Sequence, residues 1–199
     1  MSTQPLAINP SAITPWTLPS RGRVGMFCLI VAEAAIFTIF VVAYIFYLGK
    51  SVTGPTPQQV LEVPIFNTLC LLSSSLTIHF AERALERGQM VPFKAFWFLT
   101  FALGAIFLTG TGLEWHQLIY TSGLTISTNL FGTTYYSLVG LHAFHVIVGL
   151  LGLGLVMVLA LASKLKQEHA ARVGVLGLYW HFVDAVWVVV FTVVYIIGR

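Results

Sequence analysis

Charge is what this chain has least of. Only 9% of its 199 residues are Asp, Glu, Lys or Arg, against about 25% in an ordinary soluble domain. A soluble protein of this size needs a polar shell that this composition cannot build, and a disordered chain needs more charge still. With 57% of residues hydrophobic, an integral membrane protein is the class that remains. Basic residues are sparse: 10 Lys and Arg and a formal net charge of +3 make no basic stripe, which excludes a nucleic-acid partner. Cysteine is scarce as well. Cys28 and Cys70 lie in apolar runs, form no CxxC and no zinc spacing, and read as two buried small hydrophobes. Ten-residue segments of alternating hydrophobicity are missing, which excludes a β-barrel. No internal repeat is visible, so an inverted-repeat transporter has no support.

What is present is a set of five long apolar runs, at about 24–48, 64–85, 93–113, 134–162 and 175–197. A bilayer core needs about 20 helical residues, and helices satisfy their own backbone in lipid. The expected fold is therefore all-α, a polytopic membrane bundle of five transmembrane helices. Residues 1–20, with Pro5, Pro10, Pro15 and Pro19 and no charged or apolar signal-peptide pattern, read as an extended tail ahead of a single domain over 21–199. Breakers separate the runs at 49–57 and 88–92, and a polar loop is expected over 114–133. Arg21, Arg23, Arg83, Arg87, Lys94, Lys164, Lys166 and Arg172 fall on one side of such a bundle, and only Lys50 and Arg199 on the other. That asymmetry puts the N-terminus and its tail in the cytoplasm and the C-terminus outside.

Ionisable residues at bilayer depth are costly and need a reason. Glu33 lies about 13 Å into the first run at 1.5 Å per residue. His181 and Asp184 are spaced i, i+3 in the fifth run at a similar depth, and His142 and His145 repeat that spacing in the fourth. A metal site, a proton relay and a set of interhelical ties are all compatible with these spacings, and the ties are the simplest of the three. Glu33 is expected to tie the first helix to the bundle as a protonated donor, with His181 and Asp184 as partners. Gly140, Gly149, Gly152 and Gly154 offer close helix contacts. Trp16, Trp97, Trp115 and Trp180 fall near run ends as interface anchors would, with Trp187 deep enough to be a packing residue. His79 is expected to face the interface and His169 to be solvated, while Glu114 and His116 mark the outer end of the third run.

Four stretches carry a resemblance. YWHFVDAVWVVVF (Tyr179–Phe191) and GTTYYSLVGLHAFHVIVG (Gly132–Gly149) closely resemble the last two helices of haem-copper oxidase subunit III. NTLCLLSSS (Asn67–Ser75) and AEAAIF (Ala32–Phe37) resemble two earlier segments of that family, in the same order. The resemblance covers about 21–199 and fits a short five-helix form that lacks the family's first two helices. It implies a non-catalytic companion of the catalytic subunits of a respiratory terminal oxidase, most simply an aa3-type cytochrome c oxidase that reduces O2 to water and pumps protons. It further implies no catalytic, cofactor-binding or metal residue in this chain, haem and copper in partner subunits I and II, bound phospholipid, a possible respiratory supercomplex, and a bacterial inner membrane location. The family's membrane glutamate matches Glu33, its HxxH matches His142 and His145, and its HFVD matches His181 and Asp184. A quinol oxidase subunit III or the accessory subunit of a nitric oxide reductase is the alternative, and an independent transporter or scaffold stands behind both. One departure is RVGVLGL (Arg172–Leu178), which lacks the acid many members carry just before the Tyr–Trp pair.

Overall fold

A computed structural model describes residues 20–51 and 53–199. The expected tail lies outside the described residues, apart from Ser20. Helix α1 runs Arg21–Tyr47, opened by Ser20, whose hydroxyl accepts from the Arg23 amide at 3.4 Å. A short turn, α2, Pro57–Val60, starts on proline and is closed by Gln59, whose side chain accepts from the Thr56 amide at 3.2 Å. Helix α3 is Ile65–Glu86 and α4 is Met90–Tyr120. Between them Gly88, at φ +71°, closes α3: its amide bonds Leu85 O at 2.9 Å and that of Gln89 bonds Ala84 O at 2.8 Å. Pro92 falls in the first turn of α4, where its missing N–H costs nothing. Helix α5, Leu130–Leu161, is capped by Asn129, which accepts from Gly132 N at 2.8 Å. Helix α6, Ala170–Phe191, continues into a π-helical turn, Thr192–Ile197.

Among the described residues, four helical runs are long and apolar enough to cross a membrane: Arg21–Tyr47, Met90–Tyr120, Leu130–Leu161 and Gln167–Ile197. Helix α3 has spanning length at 22 residues, but Asn67, Thr68, Ser73, Ser74, Ser75 and Thr77 dilute its hydropathy. Helix α4 runs past its expected stretch at both ends, and α5 and α6 begin before theirs. The loop expected over 114–133 shrinks accordingly, because α4 continues to Tyr120 and α5 begins at Leu130. Hydropathy registers where a helix meets hydrocarbon, and a helix does not stop forming at that plane.

Helix α6 lies in the middle, packed against α1, α3 and α5, while α3 and α4 form a tight hairpin that also meets α5. Consecutive helices run in opposite directions, so the eight basic residues from Arg21 to Arg172 gather at one end. There, Gln167 Nε2 donates to Glu86 O, tying the last loop to the end of α3, and Gly22 packs on Val175. Lys50 and Arg199 lie at the other end, where Gln58 donates to Arg199 O. The outward surface is apolar: Phe27, Ile39, Phe66, Leu76, Leu113 and Leu151 are each more than 60% exposed. Interior and exterior are thus alike in polarity, as expected where the solvent is lipid.

Trp180 is the centre of the bundle. It is fully buried rather than an interface anchor. Its indole N–H donates to Ser74 Oγ on α3 at 2.8 Å. Its ring lies so close to Gly104 of α4 and Gly149 of α5 that a Cβ on either would sit 2.7 Å from a ring carbon. Trp97 is also buried, donating to Leu153 O at 2.9 Å. Gly140 faces Trp115 with more room, 3.4 Å from an added Cβ. Cys70 is buried as expected, but Cys28 is exposed on α1, because only Phe37 and Tyr44 of that helix are buried. Gly149→Ala is expected to cost about 1–3 kcal/mol by overpacking. Pairing it with Trp180→Phe should restore part of that loss, measured as thermal unfolding of the purified chain in detergent; additive losses would contradict the packing described.

Candidate functional site

The buried polar residues sort into separate centres. The first joins α1 to α5. Glu33 Oε2 lies 3.2 Å from His145 Nε2, with the two side chains 24% and 7% exposed. His145 Nδ1 lies 2.8 Å from Leu141 O. A carbonyl only accepts, so Nδ1 carries its hydrogen and the Nε2–Oε2 contact holds one further proton. On either atom that proton leaves the pair electrically neutral overall, as an ion pair or as an acid beside a neutral imidazole. Tyr179 of α6 completes the centre by donating to His145 O at 3.2 Å. The expectation that His181 and Asp184 receive Glu33 is therefore corrected. Glu33 turns toward α5 and sits with Tyr179 of α6 rather than with Asp184.

His142, one turn from His145, points inward. It is fully buried with neither ring nitrogen hydrogen-bonded. Aromatic rings enclose it: Trp187 at 5.0 Å, Phe107 edge-on at 5.9 Å and Phe37 at 6.5 Å between centroids. Trp187 is the packing residue expected, and its N–H donates to Thr68 Oγ1 of α3 at 3.2 Å.

The second polar centre joins α3 to α6. Ser75 Oγ donates to Asp184 Oδ2, and the same oxygen lies 3.1 Å from His181 Nδ1. Asp184 is buried, and its Oδ1 has no partner. His181 and Asp184 do share one face of α6, as their spacing implied. Ser75 lies within a family-like stretch but was not singled out, because serines in apolar helices usually satisfy themselves on their own backbone.

A third centre went unrecognised. Glu114 Oε1 accepts from Tyr135 at 3.0 Å and from Tyr195 at 2.8 Å. It ties α4 and α5 to the π-helical turn, where Glu114 had been read only as a helix-end marker. The usable signal was the need of a buried tyrosine hydroxyl for a partner. His79 and His116 are exposed, and His169 is half-buried in the last loop. Among the described residues no three His, Cys, Asp or Glu side chains gather in a way that could hold a metal.

These features define an all-helical integral membrane protein whose interior polar groups link helix to helix. Residues 18–199 match the family described as cytochrome c oxidase subunit III, and the chain belongs to that family. It is 33% identical over 185 residues to cytochrome c oxidase subunit 3 of Alkalihalophilus pseudofirmus, covering 92% of this chain and 90% of that one. Against the same subunit of Thermostichus vulcanus it is 31% identical over 184 residues, 91% and 90% of the two chains. Against that of a Synechocystis strain it is 35% identical over 188 residues, 90% and 77%.

Glu33→Gln keeps a donor toward His145 and is expected to leave stability unchanged. Glu33→Ala strands His145 Nε2 at a cost of about 1–3 kcal/mol. His142→Phe should cost less than His145→Phe, because His142 gives up no hydrogen bond. Thermal unfolding of the purified variants checks all four, and equal losses at His142 and His145 would refute the assignment.

Proposed function

We propose that the chain is the non-catalytic subunit III of an aa3-type cytochrome c oxidase in a bacterial inner membrane, within a complex that reduces O2 to water and pumps protons. The observation that carries this reading is the family match over 18–199. The arrangement of the interior polar groups supports it. The pairs at Glu33 and Asp184 join helix to helix. A chain built this way stabilises its neighbours, so its role is to hold the catalytic subunit I, with subunit II beside it, to order phospholipids along its apolar exterior, and to support proton uptake. Haem and copper belong to those partners.

In this reading α3 also spans, giving five transmembrane helices with the N-terminus in the cytoplasm and the C-terminus outside. The clustering of eight basic residues at one end supports that orientation. The polarity of α3 is no obstacle, since its hydroxyls bond to α4 and α6, as Thr77 does to Thr100 at 2.8 Å and Ser74 to Trp180.

Purification through a tag on this chain should bring down partners with the absorption spectrum of haem a and activity toward reduced cytochrome c. Recovery without any haem protein would refute the reading, and activity with quinol alone would move it to a quinol oxidase. A reporter fused after Arg199 should work only if it is of the kind that functions outside the cytoplasm; activity of a cytoplasm-only reporter would overturn the orientation.

A further inference from the structure

The contacts around Ser75 have a property that a simple tie would not need. Ser75 has one hydroxyl hydrogen and two polar neighbours, Asp184 Oδ2 and His181 Nδ1. When Asp184 is a carboxylate, Ser75 donates to it and accepts from His181 Nδ1–H. When Asp184 is an acid, it donates to Ser75, and Ser75 donates to the bare Nδ1 of a His181 that carries its hydrogen on Nε2. Both arrangements satisfy every link with the same heavy-atom positions. They differ by one proton and by the direction in which the chain of hydrogen bonds runs.

We propose that His181, Ser75 and Asp184 form a one-proton relay and store, entered from the basic end of the bundle through His181 Nε2. Loading adds a proton at Nε2. The Nδ1 hydrogen moves to Ser75 Oγ, and the Ser75 hydrogen moves to Asp184 Oδ2. Three bonds to hydrogen form and two break, which balances the one proton added, and Asp184 goes from carboxylate to acid. Unloading is the reverse: Asp184 returns its proton to Ser75, Ser75 returns its hydrogen to His181 Nδ1, and the Nε2 proton leaves, which restores the starting tautomer. No oxidant or second reactant is involved.

Geometry supplies the entrance and the end of the line. His181 is half-buried, and His79 is exposed one turn from Ser75 on the same side of α3. Beyond it α3 carries Glu82, Arg83 and Glu86 toward the basic end. At the inner end Asp184 is 3% exposed and bonds only to Ser75, so no other group competes for its proton. The other ionisable groups facing α6 are Glu33 of α1, held by His145 of α5; His142 of α5, boxed by aromatic rings against Trp187; Glu82 of α3, whose carboxyl lies against Gly177 one turn before His181; Arg23 of α1 at the basic end; and Glu114 of α4, held by two tyrosines at the far end. The inference rests on α3 and α6 crossing the membrane side by side but not on the electron donor of the complex, so the two can fail separately.

The test is time-resolved infrared spectroscopy after a downward pH jump, on the full chain in lipid nanodiscs. A carboxylic acid band that vanishes in Asp184→Asn is expected to rise in the wild type. In Ser75→Ala it should rise roughly a hundredfold more slowly, the scale of a lost positioned proton donor. Ser75→Thr, which keeps the hydroxyl, should restore the wild-type rate. An Asp184 band that is absent in the wild type, or that rises at the wild-type rate in Ser75→Ala, overturns the proposal and leaves the trio a fixed tie. If the relay behaves as expected but no haem partner co-purifies, the oxidase reading alone falls.

Discussion

Four helices meet on one indole. Trp180 donates to α3, is clamped between glycines of α4 and α5, and belongs to α6. In lipid this kind of contact decides the structure, because burying an apolar surface against another helix gains little over leaving it against acyl chains. What remains is close packing and hydrogen bonds. Trp180 supplies both, and Gly104 and Gly149 exist to admit it. The Trp97 bond to Leu153 and the Trp187 bond to Thr68 repeat the device above and below it.

The polar centres extend the same logic. Each links two or more helices through polar contacts. Glu33 and His145 join α1 to α5, Ser75 and Asp184 join α3 to α6, and Glu114 with its tyrosines gathers the other end. His142 stands apart, a polar ring in an aromatic box with no partner for either nitrogen. Its neighbour His145 shares its spacing and none of its chemistry.

Length and hydropathy located the helices well, because a membrane helix must be apolar over a fixed distance. They were poorest at helix ends, where α4 and α5 continue through polar residues that hydropathy assigns to a loop. Periodicity put His181 with Asp184 and made Glu33 a residue in need of a partner. It could not say which partner, since rotation about a helix axis is not legible in one sequence. Trp180 shows a second blind spot. A tryptophan about a turn inside an expected span reads as an interface anchor, and only the facing glycines on two other helices reveal a core residue. The tyrosines that hold Glu114 lie 21 and 81 residues away from it, with nothing local to announce the bond.

The pairing of Glu33 with His145 also bears on how the protein is made. The partners are separated by 112 residues. At about 5–20 residues per second, His145 leaves the ribosome about 6–22 seconds after Glu33. For that interval the first helix sits in the bilayer with an unsatisfied carboxyl group and only two residues, Phe37 and Tyr44, destined for burial. Biosynthesis therefore leaves α1 as a waiting strand of the assembly, recruited late by the fifth helix rather than serving as the foundation on which later helices are laid.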